Sequence, residues 1–407
     1  MLNWVRPFSI FLFLDSNGYA DPYGRYECLL AAGAAEVIAG DTGDPLHALQ
    51  ESHADWLFGH ITYDYKNLLE PRLTSRHPAR HRYPLLHFFC PQIVCYIPRG
   101  TPALTIAAAG IAPEAVFEAI TRMPPDCTSS VPSLGFRQRT DRDTYLATIG
   151  RLRRHLADGD CYEINYCNEG YCPDAVLDPL PVFRALNALS PAPFAAYYRL
   201  HGQYMMCASP ERYLHKSGDA IRSQPIKGTA PRDADPAKDA ALAKALRENI
   251  KERAENVMIA DLVRNDLARS CVPGSVRADE LFGVYSFPQV HQLISTISGT
   301  LRSGMPFTDA IRHSFPMGSM TGAPKFRVMQ LIGQYEAARR ELYSGTVGYI
   351  TPDRDFDFNV IIRSLFYNAD DRYLSYQTGG AITYDSDPHR EWDEMRLKAW
   401  ALERIFS

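Results

Sequence analysis

The chain has 407 residues, 46% of them hydrophobic and 22% charged, a composition that gives a folded protein with a large core and excludes a disordered or low-complexity chain. Its formal net charge is -4, with 43 Lys and Arg dispersed among 47 Asp and Glu, so the basic stripe needed for a nucleic-acid partner is missing. Nine cysteines, an odd number without C-x-x-C spacing, fit buried thiols in a reducing, cytoplasmic setting rather than a disulfide framework.

The apolar run 8–14 is too short to span a bilayer, and the Asp15-Ser16-Asn17-Gly18 turn closes it as a buried strand; no membrane partner is expected. Residues 72–82, rich in Arg and His around Pro78, read as a solvated loop. Prolines at 124, 125 and 132 mark a connection over 123–133. The chain is therefore divided into an N-terminal subdomain, 1–135, integrated with a catalytic core, 136–407.

Within that core the pattern predicts an amphipathic helix over 141–157 capped by Thr140 or Asp141, then a strand over 161–172. Cys161, Cys167 and Cys172 lie on that strand at a spacing that fits no zinc motif. Strands 194–200 and 204–207 form a hairpin through His201-Gly202, and 213–223 forms another through Ser217-Gly218-Asp219. A long helical region over 236–269 precedes strands near Val284 and over 294–301. A helix opens near Pro324, strands follow over 342–350, 357–367 and 373–378, and Asp387-Pro388 begins the closing helix. Runs of turn-linked strands with helices in blocks define an α+β fold on antiparallel sheet.

Several segments bear chemistry. Lys227 lies in Ser223-Gln224-Pro225-Ile226-Lys227-Gly228-Thr229, 16 positions after Glu211, so an amine with a possible acid partner suits covalent attack on a small electrophile. On the closing helix Trp392, Met395, Ala399, Leu402 and Phe406 make the buried stripe, and Glu391, Glu394 and Lys398 border it. That row suits a divalent cation plus an anion, or simply an i, i+4 salt bridge on a wet face. Glu252 and Glu255 pose the same choice on the long helix. The run from Phe315 to Lys325 sets amides and hydroxyls ahead of a helix N-terminus, a natural place for a carboxylate. Gly379-Gly380 lets a ligand approach the backbone. No dinucleotide or Walker A motif is present, which disfavours phosphate binding.

Gly159-Asp160-Cys161-Tyr162-Glu163-Ile164-Asn165, Ser209-Pro210-Glu211-Arg212, Pro225 to Thr229, Ala254-Glu255-Asn256-Val257-Met258, Asp261 to Asp266, Gly318 to Lys325 and Asp393 to Lys398 together resemble the chorismate-utilising enzymes, in the family's order over roughly residues 140–405. The resemblance implies large antiparallel sheets packed as a sandwich with helices outside, as in anthranilate synthase component I. It also implies Mg²⁺ held by Glu255 and Glu394, with Glu252 and Glu391 beside them. Tyr343 and Arg363, on neighbouring strands, would hold the enolpyruvyl carboxylate of chorismate. Gly379, Gly380, Lys398 and Ser319 would make other substrate contacts, His291 would stand near the leaving side of the ring, and Glu211 would be the general acid for the C4 hydroxyl.

Two positions bear on the branch of the family. The water-adding members carry lysine where Glu163 stands, and anthranilate synthases carry alanine where Lys227 stands. Lysine at 227 resembles the aminodeoxychorismate synthases, in which this amine would attack C2 before ammonia takes C4. Glu163 itself departs from the glutamine common in amine-adding members. No G-x-C-x-G glutaminase segment occurs, so ammonia is expected from solution or from a separate glutamine amidotransferase subunit. The alternatives are anthranilate synthase component I and a catalytically silent chorismate-binding subunit.

Overall fold

The computed structural model describes residues 1–124, 130–288 and 290–407. Its strands are β1 (Ile10–Asp15), β2 (Tyr26–Gly40), β3 (Leu57–Ile61), β4 (Leu86–Pro98), β5 (Thr105–Ala108), β6 (Arg137–Gln138), β7 (Glu163–Cys172), β8 (Phe194–Leu200), β9 (Gln203–Ser209), β10 (Arg212–Ser217), β11 (Ala220–Gln224), β12 (Ile226–Pro231), β13 (Arg277–Ser286), β14 (Val290–Thr300), β15 (Gly322–Ala323), β16 (Thr346–Ile350), β17 (Phe356–Asn359), β18 (Ser364–Asn368) and β19 (Tyr373–Ile382). The helices are α1 (Pro45–Glu51), α2 (Lys66–Leu69), α3 (Pro113–Thr121), α4 (Arg142–Ala157), α5 (Pro179–Leu189), α6 (Pro236–Glu248), α7 (Ile250–Ala268), α8 (Phe307–Ser314), α9 (Lys325–Tyr335) and α10 (Pro388–Arg404).

Every strand pairing is antiparallel, and the pairings form two arms joined at the long strand β4, which pairs with both β2 and β3. One arm runs β2, β1, β8, β9, β18, β19, β7. The other runs β3, β16, β17, β10, β11, β14 and then β12 and β13. Because side chains alternate along a strand, each arm presents one apolar face inward. Leu12, Tyr198, Met205, Cys207 and Phe366 of the first arm share a core with Phe58, Leu214, Ile221, Ile297, Val347 and Phe358 of the second. Fully burying one such side chain is worth about 1.5–3 kcal/mol. The opposite face of the first arm, with Phe11, Phe13, Tyr197, Met206 and Leu365, packs against Phe183 and Leu186 of α5 and Ala399 and Leu402 of α10. This is the expected α+β sandwich with helices outside. Strands from residues 1–135 are woven into it, since β1 pairs with β8 and β3 with β16.

Four expectations are corrected. The helical region 236–269 is two helices, because Asn249 adopts extended backbone and its side chain accepts from Glu252 N, capping α7. The strand read over 357–367 breaks between β17 and β18, where Arg363 has φ of 50°; likewise the strand expected from 342 begins only at Thr346. The 72–82 loop is docked rather than solvated throughout: His81 is buried with Nε2 2.7 Å from Ser375 Oγ, and the Arg80 and His81 amides donate to the Glu341 carboxylate. Cys127 and residues 125–129 of the expected connection lie outside the described residues.

The inner core also holds a polar triad. The buried His60 ring donates from Nε2 to the Pro84 carbonyl at 3.0 Å, leaving Nδ1 to accept from Tyr198, whose hydroxyl is 3.1 Å from His87 Nδ1. Burial, then the neighbouring His87, pushes His60 down to about 3. The unfolded chain takes up this proton as pH falls through about 6.5, whereas the folded chain stays neutral. His60 therefore contributes stability that is complete above pH 6.5 and declines by about 1.4 kcal/mol per unit below it. His60→Asn is expected to gain on wild type in urea unfolding as pH falls from 6 to 4.5; parallel losses in the two proteins would contradict this origin.

Candidate active site

Lys227 is the second residue of β12 and Glu163 the first of β7, so the two arms meet through these side chains near their far ends. Lys227 Nζ lies 2.7 Å from Glu163 Oε1, with Glu163 fully buried and Lys227 8% exposed. The approach falls outside hydrogen-bond alignment, and neither Glu163 oxygen has another hydrogen-bond partner. Burial opposes charge on Lys227, but Glu163, with Glu255 and Glu211 farther off, outweighs it and holds the ammonium above the usual lysine range. Burial alone would favour the free amine; the carboxylate at 163 reverses that. Gly228 then turns the chain at φ of 95°, where an added Cβ would stand 2.9 Å from Glu252 Oε2, so glycine brings this strand against α7.

Glu211 lies just ahead of β10. Its neighbour Arg212 points the other way, into Asp357 and Asp21, and this buried anchor fixes the backbone that presents Glu211. Burial pushes the Glu211 carboxyl up to about 7, against the Ser319 hydroxyl, which donates to Oε1 at 2.6 Å, and the Lys227 charge. Within the run from Phe315 to Lys325, the Ser319 hydroxyl thus meets a carboxylate of the protein itself. Thr321 Oγ1 is taken by the Met317 carbonyl, and Lys325 by Asp266 and the Ser314 carbonyl.

Helices α7 and α10 each deliver two glutamates. Glu255 is pushed up to about 7 by burial, then by Glu163 and Glu252 against the pull of Lys227 and Lys251. Burial also raises Glu252 and Glu391, and each feels the Glu394 charge. Glu394 alone is lowered, chiefly by Lys398, which is 2.7 Å away and also donates to the Gly379 carbonyl at 2.9 Å. Among the described residues no group of three or more His, Cys, Asp or Glu is arranged to hold a metal ion, and Lys251 stands 3.6 Å from Glu255 Oε1. The donor chemistry nonetheless fits a hard cation: the set is all carboxylate, and Glu255 Oε1 is buried without a hydrogen-bond partner.

Neither Tyr343 nor Arg363 lies on a strand. Both sit in bends, with positive φ at Glu341, Ser344 and Arg363 itself, a conformation that costs a non-glycine residue about 1–3 kcal/mol. The Arg363 guanidinium has no hydrogen bond or ion pair among the described residues; burial lowers it, with Glu211 as the opposing charge. It lines a small cavity with Pro210, Phe287 and Val290. A forked cation held without a carboxylate is suited to receive one from a ligand. Tyr343 is buried, its hydroxyl accepting from Cys167 Sγ at 3.4 Å. His291 is not drawn into this cluster: Ser286 Oγ and Asp239 Oδ1 occupy its ring nitrogens at 2.8 and 2.9 Å. A separate cavity bounded by Asp15, Ser16, Tyr26, Pro193 and Gly348 contains none of these side chains.

The sequence reading missed what Glu163 does and the buried Glu336–Arg340 pair, 2.6 Å apart, which also binds the Cys167 amide and the Asn165 carbonyl and so props β7 beneath the site. The two residues lie four apart just past the end of α9, where Glu336 has extended backbone, so no helical spacing marked the pair.

The family model for chorismate binding enzymes matches residues 20–404, and the chain belongs to that family. It is similar to the aminodeoxychorismate synthase of Streptomyces griseus, 42% identical over 300 residues covering 74% of this chain and 40% of that protein. It is also similar to aminodeoxychorismate synthase component 1 of Salmonella typhimurium (strain LT2), 38% identical over 274 residues, 67% of this chain and 59% of that one. The chain thus spans less than two thirds of the length of either curated relative. Its fold matches the crystal structure of anthranilate synthase component I from Streptococcus pneumoniae TIGR4 with a TM-score of 0.84, over 95% of this chain and 93% of that chain at 22% identity. Among the described residues no helix is long and apolar enough to cross a membrane.

The two site glycines differ in what surrounds them. A Cβ at Gly379 would meet the Tyr166 carbonyl at 2.2 Å and Cys167 Cα at 2.8 Å, whereas one at Gly380 would meet only the Glu391 carboxylate at 3.2 Å and the ends of Glu394 and Lys398 at 3.8 Å. Gly379→Ala must part β19 from β7 and is expected to cost on the order of 1–3 kcal/mol in urea unfolding. Gly380→Ala should cost less while weakening chorismate binding. Equal destabilisation by the two would contradict this placement.

Proposed function

We propose that the chain is the chorismate-aminating component of an aminodeoxychorismate synthase, an amino-group transferase that replaces the C4 hydroxyl of chorismate with an amino group and releases 4-amino-4-deoxychorismate, the precursor of 4-aminobenzoate and folate. The observation that carries this reading is the buried Lys227 amine, held at the junction of the two arms with a carboxyl of pKa about 7, Glu211, acting on it. The similarity to aminodeoxychorismate synthases supports it.

In this reading Arg363 and Tyr343 receive the enolpyruvyl carboxylate, and Lys398 and the Gly379-Gly380 backbone border the ring. Lys227 attacks C2 as the C4 hydroxyl leaves, and Glu211 protonates the departing oxygen so that water is released. Ammonia then attacks C4, the amine of Lys227 departs from C2, and the proton on the new C4 ammonium returns to Glu211. Glu255 and Glu394, with Glu252 and Glu391 beside them, would hold Mg²⁺, which when bound supplies positive charge opposite the ring carboxylate. Ammonia would come from a glutamine amidotransferase subunit, consistent with the designation of the Salmonella relative as component 1. The eight described cysteines, all free thiols, suit a cytoplasmic enzyme.

The purified chain, given chorismate, Mg²⁺ and an ammonium salt, is expected to yield aminodeoxychorismate by mass spectrometry. Anthranilate with pyruvate would replace this reading by an anthranilate synthase, and unchanged chorismate by a non-catalytic binding subunit. Glu211→Gln should lose on the order of 10²–10⁴ in rate. Since the acid must be protonated, the wild-type rate should fall as pH rises above about 7; wild-type activity in the variant would remove Glu211 from this role.

A further inference from the structure

Glu163 is the one carboxylate in ion-pair contact with Lys227 among the described residues. It lies at the start of β7, its backbone paired with Ala323 of β15, and both carboxylate oxygens are buried with no hydrogen-bond partner. A buried carboxylate normally collects two or three donors. Here the ammonium of Lys227 is its one counter-group within 4 Å among the described residues.

On the reading that Lys227 is the nucleophile, we propose that Glu163 is its proton acceptor, taking the ammonium proton as the bond from Nζ to C2 forms and returning it when ammonia displaces the amine. The steps balance. Lys227 gives one proton to Glu163 and its electron pair to C2, the C4–O bond breaks, and Glu211 supplies the proton that makes the leaving group water. When ammonia forms its bond to C4, the electron pair of the N–C2 bond returns to Nζ, and Glu163 returns the proton. No proton is exchanged with solvent at Lys227 in either half.

The charges that act on the pair are Glu252 and Glu255 from α7, Glu211 from the segment before β10, and Glu394 from α10, with Lys251, Glu391 and Lys398 acting on those glutamates in turn. They are common to wild type and to a variant at 163, so a comparison of the two isolates Glu163. A glutamine there cannot accept the proton. The amine must then be free before attack, and the rate should fall tenfold per pH unit below the pKa of that amine, wherever burial sets it.

The test is single-turnover formation of the Lys227 adduct, with chorismate and Mg²⁺ and without ammonia, followed by intact-protein mass from pH 5 to 9. In wild type the rate should be nearly independent of pH on the acid side. In Glu163→Gln it should decline steeply there, the fall above about pH 7 set by Glu211 being common to both proteins, and Glu163→Asp should restore much of the flat limb. A KM for chorismate that stays unchanged while the acid limb changes separates proton transfer from loss of shape. Parallel pH profiles for wild type and Glu163→Gln, or an Asp variant no flatter than the Gln variant, would overturn the assignment while leaving Lys227 as nucleophile. An adduct that persists in Lys227→Ala, or none in wild type, would overturn the nucleophile itself and this inference with it.

Discussion

The contact between Lys227 and Glu163 sets the terms for the rest of the site, because an ammonium cannot be taken so far from water unless a carboxylate goes with it. Removing one partner of such a buried pair costs about 3–5 kcal/mol unless the survivor sheds its charge. The pair also joins the two arms of the sandwich near their far ends, at β7 and β12. Charge balance in the site and closure of the sandwich are therefore served by the same two side chains.

Around that pair the molecule gathers more carboxylates than it neutralises. Glu252, Glu255, Glu391 and Glu394 reach in from α7 and α10, and among the described residues Lys251, Lys398 and Lys227 answer them. Burial raises Glu252, Glu255 and Glu391, neighbouring carboxylates add to it, and a hard cation would favour their charged forms. On the other side the imbalance is reversed, with Arg363 held in a left-handed bend without an ion-paired carboxylate among the described residues. A small molecule bearing carboxylates is what such a surface is built to receive, and placing an acid of pKa about 7 between the two halves sets protonation where a hydroxyl would leave.

How much of this was legible in the sequence depended on how local the cause was. The α4 cap, the β8 and β9 hairpin and the buried stripe of α10 follow from residues within a turn or two of one another, and each could be read directly. The break at Asn249 was hidden because the residues on both sides are good helix formers and only one cap side chain divides them. The bend at Arg363 was hidden because its apolar flanks continue the strand pattern on either side, and nothing in the run 357–367 marks a left-handed residue. The motif order found the side chains of the site but not their pairing. Ser319 answers to Glu211, 108 positions away, and Glu163 to Lys227 across the sandwich; such couplings depend on tertiary contact.

The central claim is that chemistry on chorismate passes through the amine of Lys227. Trapping the reaction without ammonia and mapping the protein by proteolysis and mass spectrometry tests it most directly. The account predicts a chorismate-derived mass, less one water, on the peptide containing Lys227 and on no other. The same mass on a different residue, or turnover to aminodeoxychorismate by Lys227→Ala at the wild-type rate, would contradict it.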